Sequence, residues 1–190
     1  TCSMHESVIK ALEDRDLEAV KSILVLDDDV DQFSFFLMRI LRKAIQDPLL
    51  SEKLKIEPLE CLDYQMLVDK VENTADCAAR IAKSQIFAYE NGKNIPTEIV
   101  NKLIELGMST LEAYDGAVSA FFSEDQELAD VIIDEKGHSI REKSREISKS
   151  LPGVEDPYVV CVICSIQRQM ERVGEYSADI AEMVINRSLR

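Results

Sequence analysis

The sequence predicts an all-α protein built as two tandem three-helix bundles related by internal duplication. Three observations lead there: helix breakers are scarce, the last helix carries a long apolar seam, and the two halves of the chain repeat one another. Only 6 Gly and 5 Pro punctuate 190 residues, which favours long helices. Val159, Ile163, Ile166, Met170, Val173, Ser177, Ile180 and Val184 alternate steps of four and three, so they share one face of a single helix. Glu72-x3-Asp76-x3-Arg80-Ile81-Ala82 matches Glu171-x3-Glu175-x3-Asp179-Ile180-Ala181 at an offset of 99. Val20, Ile23, Leu24 and Asp27 match Leu128, Val131, Ile132 and Glu135 at an offset of 108, and the difference of nine falls in the connection 47–57.

Six helices are expected, over 3–14, 17–46, 58–90, 97–122, 124–150 and 157–189. Asp16, in Asp14-Arg15-Asp16, supplies an N-cap before Leu17. Asp47-Pro48 ends the second helix, and Pro58 suits the first position of the third. Asn91-Gly92-Lys93-Asn94-Ile95-Pro96 is the clearest linker, so the repeats are divided as 1–92 and 93–190. The helix over 97–122 is the counterpart of the opening one, which therefore reads as truncated. Ser123-x-x-Gln126 reads as a capping box for the fifth helix. Leu151-Pro152-Gly153 breaks the chain, and Asp156-Pro157 restarts it as N-cap and first residue.

Composition removes several classes of function. Lys+Arg number 22 against 36 Asp+Glu, a net charge of −14, with −6 on residues 1–95 and −8 on residues 96–190. A surface that neutralises duplex phosphates needs clustered cations, so no nucleic acid is expected to bind this segment. A basic membrane-surface helix is excluded for the same reason. The longest apolar stretch, Val159-Val160-Cys161-Val162-Ile163-Cys164, is far too short to span a bilayer, and no signal pattern opens the chain. The 5 Cys read as reduced thiols of a cytoplasmic protein. The chain opens on Thr1 and not Met, so its start reads as trimmed or processed.

The chemistry-bearing pattern is carboxylate. Asp27 and Asp31 are four apart on the second helix, and Glu72 and Asp76 are four apart on the third, so each pair shares a helix face. Counted from the intervening connection, the four stand at matching heights. Counting in the second half sets Glu135 and Ser139 against Glu175 and Glu171. Like charges at this spacing oppose a helix by a few tenths of a kcal/mol per pair. A hard cation with oxygen ligands would compensate, and a solvated acidic face is the plain alternative. Asp130/Asp134 and Glu142/Glu146 show the same spacing and read as solvated face.

Other constellations are weaker. Cys161-x-x-Cys164 lies inside a helix without a second pair, so core thiols are favoured over zinc. Glu135-Lys136-Gly137-His138 imitates half of a di-iron motif, but the other half of the chain has no His to match it. No Gly-rich phosphate loop or Ser-His-Asp set is present. Phe33, Phe35 and Phe36 read as core or interface.

Met170-Glu171-Arg172-Val173-Gly174-Glu175-Tyr176-Ser177-Ala178-Asp179-Ile180-Ala181-Glu182 resembles the signature of the PhoU family of phosphate-uptake regulators, as do its first-half copy Leu67–Asp76 and the acidic run Asp27-Asp28-Asp29-Val30-Asp31. Pro58–Tyr64 looks most like archaeal members. The resemblance implies two three-helix bundles, a cytoplasmic and non-enzymatic protein that is often a homodimer, and contact with a phosphate ABC transporter's ATPase or with a signalling protein. It implies metal binding, iron or another divalent cation, at Asp27, Asp31, Glu72 and Asp76 in the first bundle and at Glu135, Glu171 and Glu175 in the second. Ser139 stands where the family has an acid, and Glu175 where it has Asp, so the first site is expected to bind more tightly. Archaeal relatives carry a small DNA-binding domain upstream. The competing readings are a metal-dependent helical-bundle enzyme, whose ligands would be buried, and a metal-free helical scaffold.

Overall fold

The computed structural model describes residues 1–188, and they are helical almost throughout. The elements are α1 (Cys2–Asp14), α2 (Leu17–Gln46), α3 (Pro48–Leu54), α4 (Pro58–Glu90), α5 (Thr97–Ser123), α6 (Gln126–Val131), a π turn (Ile132–Lys136), α7 (Gly137–Ser150), a 3-10 turn (Leu151–Gly153) and α8 (Pro157–Ser188). α1, α2 and α4 form the first bundle; α5, the α6–α7 segment and α8 form the second. All eight seam residues of α8 are buried, which is what holds this 32-residue helix against both bundles.

Local chemistry sets the boundaries. The Asp16 carboxylate accepts from the backbone N–H groups of Glu18 and Ala19, so α2 starts where its cap residue stands. Asp47 closes α2 and its side chain caps the next helix by accepting from Leu49 and Leu50. The connection 47–57 is therefore not bare: it holds the roughly two turns of α3. Glu57 and Glu60 form a capping box in front of α4, a signal hidden by Glu standing where Ser or Thr is usual. The Ser123/Gln126 box does not form. Ser123 is the last residue of α5 and its hydroxyl donates back to Ser119 O, while Asp125 caps α6 by accepting from Leu128 N. The helix expected over 124–150 is broken by the π turn, which admits an extra residue and turns the following side chains around the axis.

One apolar core runs through both bundles. α5 approaches so closely that a Cβ on Gly107 would lie 2.8 Å from Ile9 Cγ1 of α1 and 3.0 Å from Met170 Cε of α8. Polar ties fix α1 on α4: His5 Nε2 meets Thr74 O at 2.8 Å, Gln85 Nε2 donates to Val8 O at 2.6 Å, and the Tyr89 hydroxyl donates to Ala11 O at 2.5 Å. Between the bundles, Lys70 pairs with Asp179 at 2.7 Å, and Lys93 of the linker pairs with Asp156 ahead of α8 at 2.7 Å. Cys161 and Cys164 are exposed, which corrects the core reading; their positions fall between the seam residues of α8. Phe33, Phe35 and Phe36 are exposed as well, so they are not core. No helix among the described residues is long and apolar enough to cross a membrane.

Candidate functional site

The first-bundle carboxylates stand on facing stretches of α2 and α4, the most extensively packed helix pair of the molecule. Asp27, Asp31, Glu72 and Asp76 are all half-buried. Partial burial pushes the Asp27 carboxyl above its ordinary range, and the neighbouring charges of Asp76 and Asp31 push it further, against a small opposing pull from Lys83. Glu72 is raised in the same way, by burial first and then by Asp76, Asp31, Asp69 and Asp27. The four groups therefore act on one another, as equal heights on antiparallel helices require. Asp27 Oδ1 is buried with no hydrogen-bond partner among the described residues. Of the four, only Asp76 has a close cationic partner among the described residues, Arg80 at 2.7 Å on the same helix. Beside the cluster lies a small cleft lined by Asp31, Asp69 and Glu72 on its polar side and by Phe35, Met38 and Val68 on its apolar side.

The second bundle is built differently. Glu171 and Glu175 share one guanidinium: Arg168 Nη1 lies 3.4 Å from Glu171 Oε2 and 3.0 Å from Glu175 Oε1. The Ser144 hydroxyl donates to Glu171 Oε1, and Gln167 Nε2 donates to Ser144 Oγ at 2.7 Å. Glu171 thus meets Ser144, more than a helical turn beyond the Ser139 that counting set against it. Ser139 instead accepts from Lys143 at 3.1 Å. Glu135 is exposed within the π turn, and the groove beside Glu171 and Glu175 is lined by Ile133, Gly137, Ile140 and Arg141 in its place. His138 is exposed and faces Glu142 at 3.5 Å, away from Glu171. Gly174 lets α7 close over α8, since a Cβ there would lie 3.1 Å from Ile140 Cδ1.

The two halves thus hold like-charged clusters in opposite electrostatic states. The first is carboxylate against carboxylate, with a buried oxygen lacking a donor. In the second, one guanidinium, Arg168, lies against both Glu171 and Glu175 and offsets part of their charge. Arg168 was legible in the sequence: three residues before Glu171 and seven before Glu175, it lies on their face of the helix. Among the described residues, no three His, Cys, Asp or Glu side chains converge as a metal shell would. The all-oxygen donor set and the orphaned Asp27 Oδ1 of the first bundle fit a hard cation, to be reached by side-chain rotation. In the second set Arg168 bridges the two clustered carboxylates and Glu135 stands apart in the π turn, so the three do not fit one cation. Glu72 and Glu171 are both partly exposed at groove edges, unlike the buried ligands a helical-bundle enzyme would need.

Two three-helix bundles with an acidic motif repeated on equivalent helices define a duplicated, all-helical class of protein. The chain belongs to the PhoU domain family, whose model matches residues 1–85 and 103–184. It is 28% identical over 192 aligned positions to a Thermotoga maritima protein named phosphate-specific transport system accessory protein PhoU homolog 1, covering 93% of this chain and 76% of that one. Its fold is similar to that of the crystal structure of PhoU from Pseudomonas aeruginosa, with a TM-score of 0.82 and 20% identity, over 97% of this chain and 88% of the other.

Proposed function

We propose that the protein is a regulator of phosphate uptake and phosphate homeostasis that works by protein–protein contact and catalyses no reaction. The observation that carries this reading is the family match in both halves, which joins the chain to a relative named as an accessory protein of a phosphate transport system. The repeats divide at 92/93, in the linker between α4 and α5. The partner is the ATPase of a phosphate ABC transporter or a signalling protein of the same response, met in the cytoplasm by a homodimer. Nothing in the acidic surface suits nucleic acid, whose phosphates need clustered Lys and Arg.

In this reading Asp27, Asp31, Glu72 and Asp76 hold a divalent cation, iron or another. When bound, the cation supplies positive charge that relieves the repulsion across the α2–α4 pair. What the chain itself does is hold four carboxylates at one height on rigid helices. Arg168 fills the same need for Glu171 and Glu175, and Glu135 stands apart, so the second bundle is the weaker cation site.

The contact is tested by affinity purification of the tagged protein from its native cells, grown with abundant and with limiting phosphate. A phosphate-transporter ATPase or a phosphate-responsive sensor is expected to co-purify, in amounts that change with phosphate supply. Recovery of neither, in cells shown to express both, would sink the regulatory reading.

A further inference from the structure

Cys161 and Cys164 take no part in either acidic site, and of the five cysteines they alone are exposed. Cys61 and Cys77 are buried, and burial raises both thiols, Cys77 to about 11. Cys2 is half-buried, and its thiol is raised by burial and then by the charge of Asp115. The thiolate is the form that binds metal, so these three are poor ligands.

The packing of α8 fixes how the exposed pair stands. Val162 and Ile163, between the two cysteines, are 4% and 0% exposed, and Val159 and Ile166 on either side are buried too. The helix is pinned to the core through this turn and carries its thiols at i and i+3 on the outer face. Side chains at that spacing have Cβ atoms about 5–6 Å apart. A disulfide needs about 3.5–4.5 Å between Cβ atoms and about 2.05 Å between sulfurs. Closing one would unwind a turn whose apolar residues are packed. A shared ion asks for less. With metal–sulfur bonds of about 2.3 Å, as in zinc thiolates, two sulfurs in line across one ion stand about 4.6 Å apart. The turn that opposes a disulfide therefore suits a chelate.

The number of donors selects the ion. Among the described residues no three His, Cys, Asp or Glu side chains converge, so the pair has no third protein ligand. The next carboxylates along that face, Glu171 and Glu175, are engaged by Arg168. Zinc takes four ligands, and calcium and magnesium take oxygen. Monovalent copper is the soft ion that thiolates select and that two of them satisfy. We propose that Cys161 and Cys164 form a two-coordinate site for a cuprous ion on the outer face of α8. Binding replaces two S–H protons with one Cu(I). Both protons leave to solvent, copper keeps its oxidation state, and the bis-thiolate complex carries one net negative charge. The hard carboxylates of the α2–α4 cluster do not compete for this ion, so the two sites are independent.

The test is an anaerobic titration of the reduced 190-residue chain with Cu(I) in the presence of bicinchoninate, whose colour reports the copper it retains. The chain should withdraw one Cu(I) from the chelator. Cys161→Ser and Cys164→Ser should each abolish the withdrawal, and both variants should fold as the parent does, since each position is exposed. Cys2→Ser should leave it unchanged. X-ray absorption of the loaded chain should show copper bound by two sulfurs, and added Zn(II) should displace none of it. Withdrawal that survives either serine substitution, or that needs Cys2, would overturn the proposal. So would a parent that withdraws no copper, a third or fourth sulfur on the metal, or displacement by Zn(II). Oxidised glutathione should not join Cys161 to Cys164; an internal disulfide between them, seen by mass as the loss of two hydrogens, would overturn the geometry on which the chelate rests.

Discussion

Replacing Arg187 with methionine is expected to cost the fold about 1.5–3 kcal/mol, the range for losing hydrogen bonds made by a charged group. Arg187 lies near the end of α8, and only 14% of its side chain is exposed. Its Nε is 3.5 Å from Asp63 Oδ2 on α4, a carboxylate with 8% of its side chain exposed. Nη1 donates to Phe121 O at 3.3 Å, Nη2 lies 2.9 Å from Glu124 Oε1, and the guanidinium carbon stands 4.7 Å from the Phe121 ring centroid. One side chain thus ties α8 to α4 and to the end of α5. Methionine fills similar volume, so the loss is the charge pairing with Asp63 and the hydrogen bond to Phe121 O. Glu124 is exposed and contributes little. Urea unfolding should show a lower midpoint with an unchanged slope. A midpoint within 1 kcal/mol of the parent, converted by that slope, would show the tie to be dispensable.

The acid limb of stability is expected to belong to His5. The ring is buried between α1 and α4, and burial lowers its pKa to about 4, against a partial opposing effect of the Thr74 carbonyl. The unfolded imidazole takes its proton near 6.5. The folded state therefore favours the neutral ring, and its contribution is complete above pH 6.5 and is lost as pH falls from 6.5 toward 4. By pH 4.5 the loss is about 2–3 kcal/mol, at 1.36 kcal/mol per pKa unit. Asp27 and Glu72 work with the opposite sign. Their raised pKa values mean that protonation relieves repulsion, so they gain stability over the lower part of the same range. His5→Gln retains a donor toward Thr74 O and cannot titrate. Thermal unfolding at pH 7 and pH 4.5 should show a markedly smaller drop for this variant than for the parent. Equal drops would place the acid sensitivity elsewhere.

Most of the helical plan was legible because it rests on local signals. The α8 seam, the Asp16 cap, the helix end at Asp47 and the Pro58 and Pro157 starts need no tertiary information, and the structure places them as read. Failures came where two signals compete or where register is invisible. Ser123 lost to Asp125 because α5 runs one residue further before its left-handed C-cap at Glu124. The π turn inserts a register change within Ile132–Lys136 that residue counting cannot see, and it moved Glu135 and Ser139 away from Glu175 and Glu171. α2 and α4 are each unbroken, so the first-half count placed Asp27, Asp31, Glu72 and Asp76 together. Cys161 and Cys164 read as core by composition, although the α8 seam already excluded both positions from the buried stripe.

That difference in register makes the two acidic sets unequal, and a metal measurement tests the inequality most directly. Elemental analysis of the protein purified without chelator would be set beside two variants, Glu72→Gln with Asp76→Asn, and Glu171→Gln with Glu175→Gln. The parent should carry a divalent metal and the first variant should lose most of it, because affinity for a hard cation follows the number of charged oxygen ligands. The second variant should keep its metal, since Glu171 and Glu175 share Arg168 and Glu135 stands apart from them. Equal loss in both variants would contradict the asymmetry, and a parent without metal would end the cation site altogether.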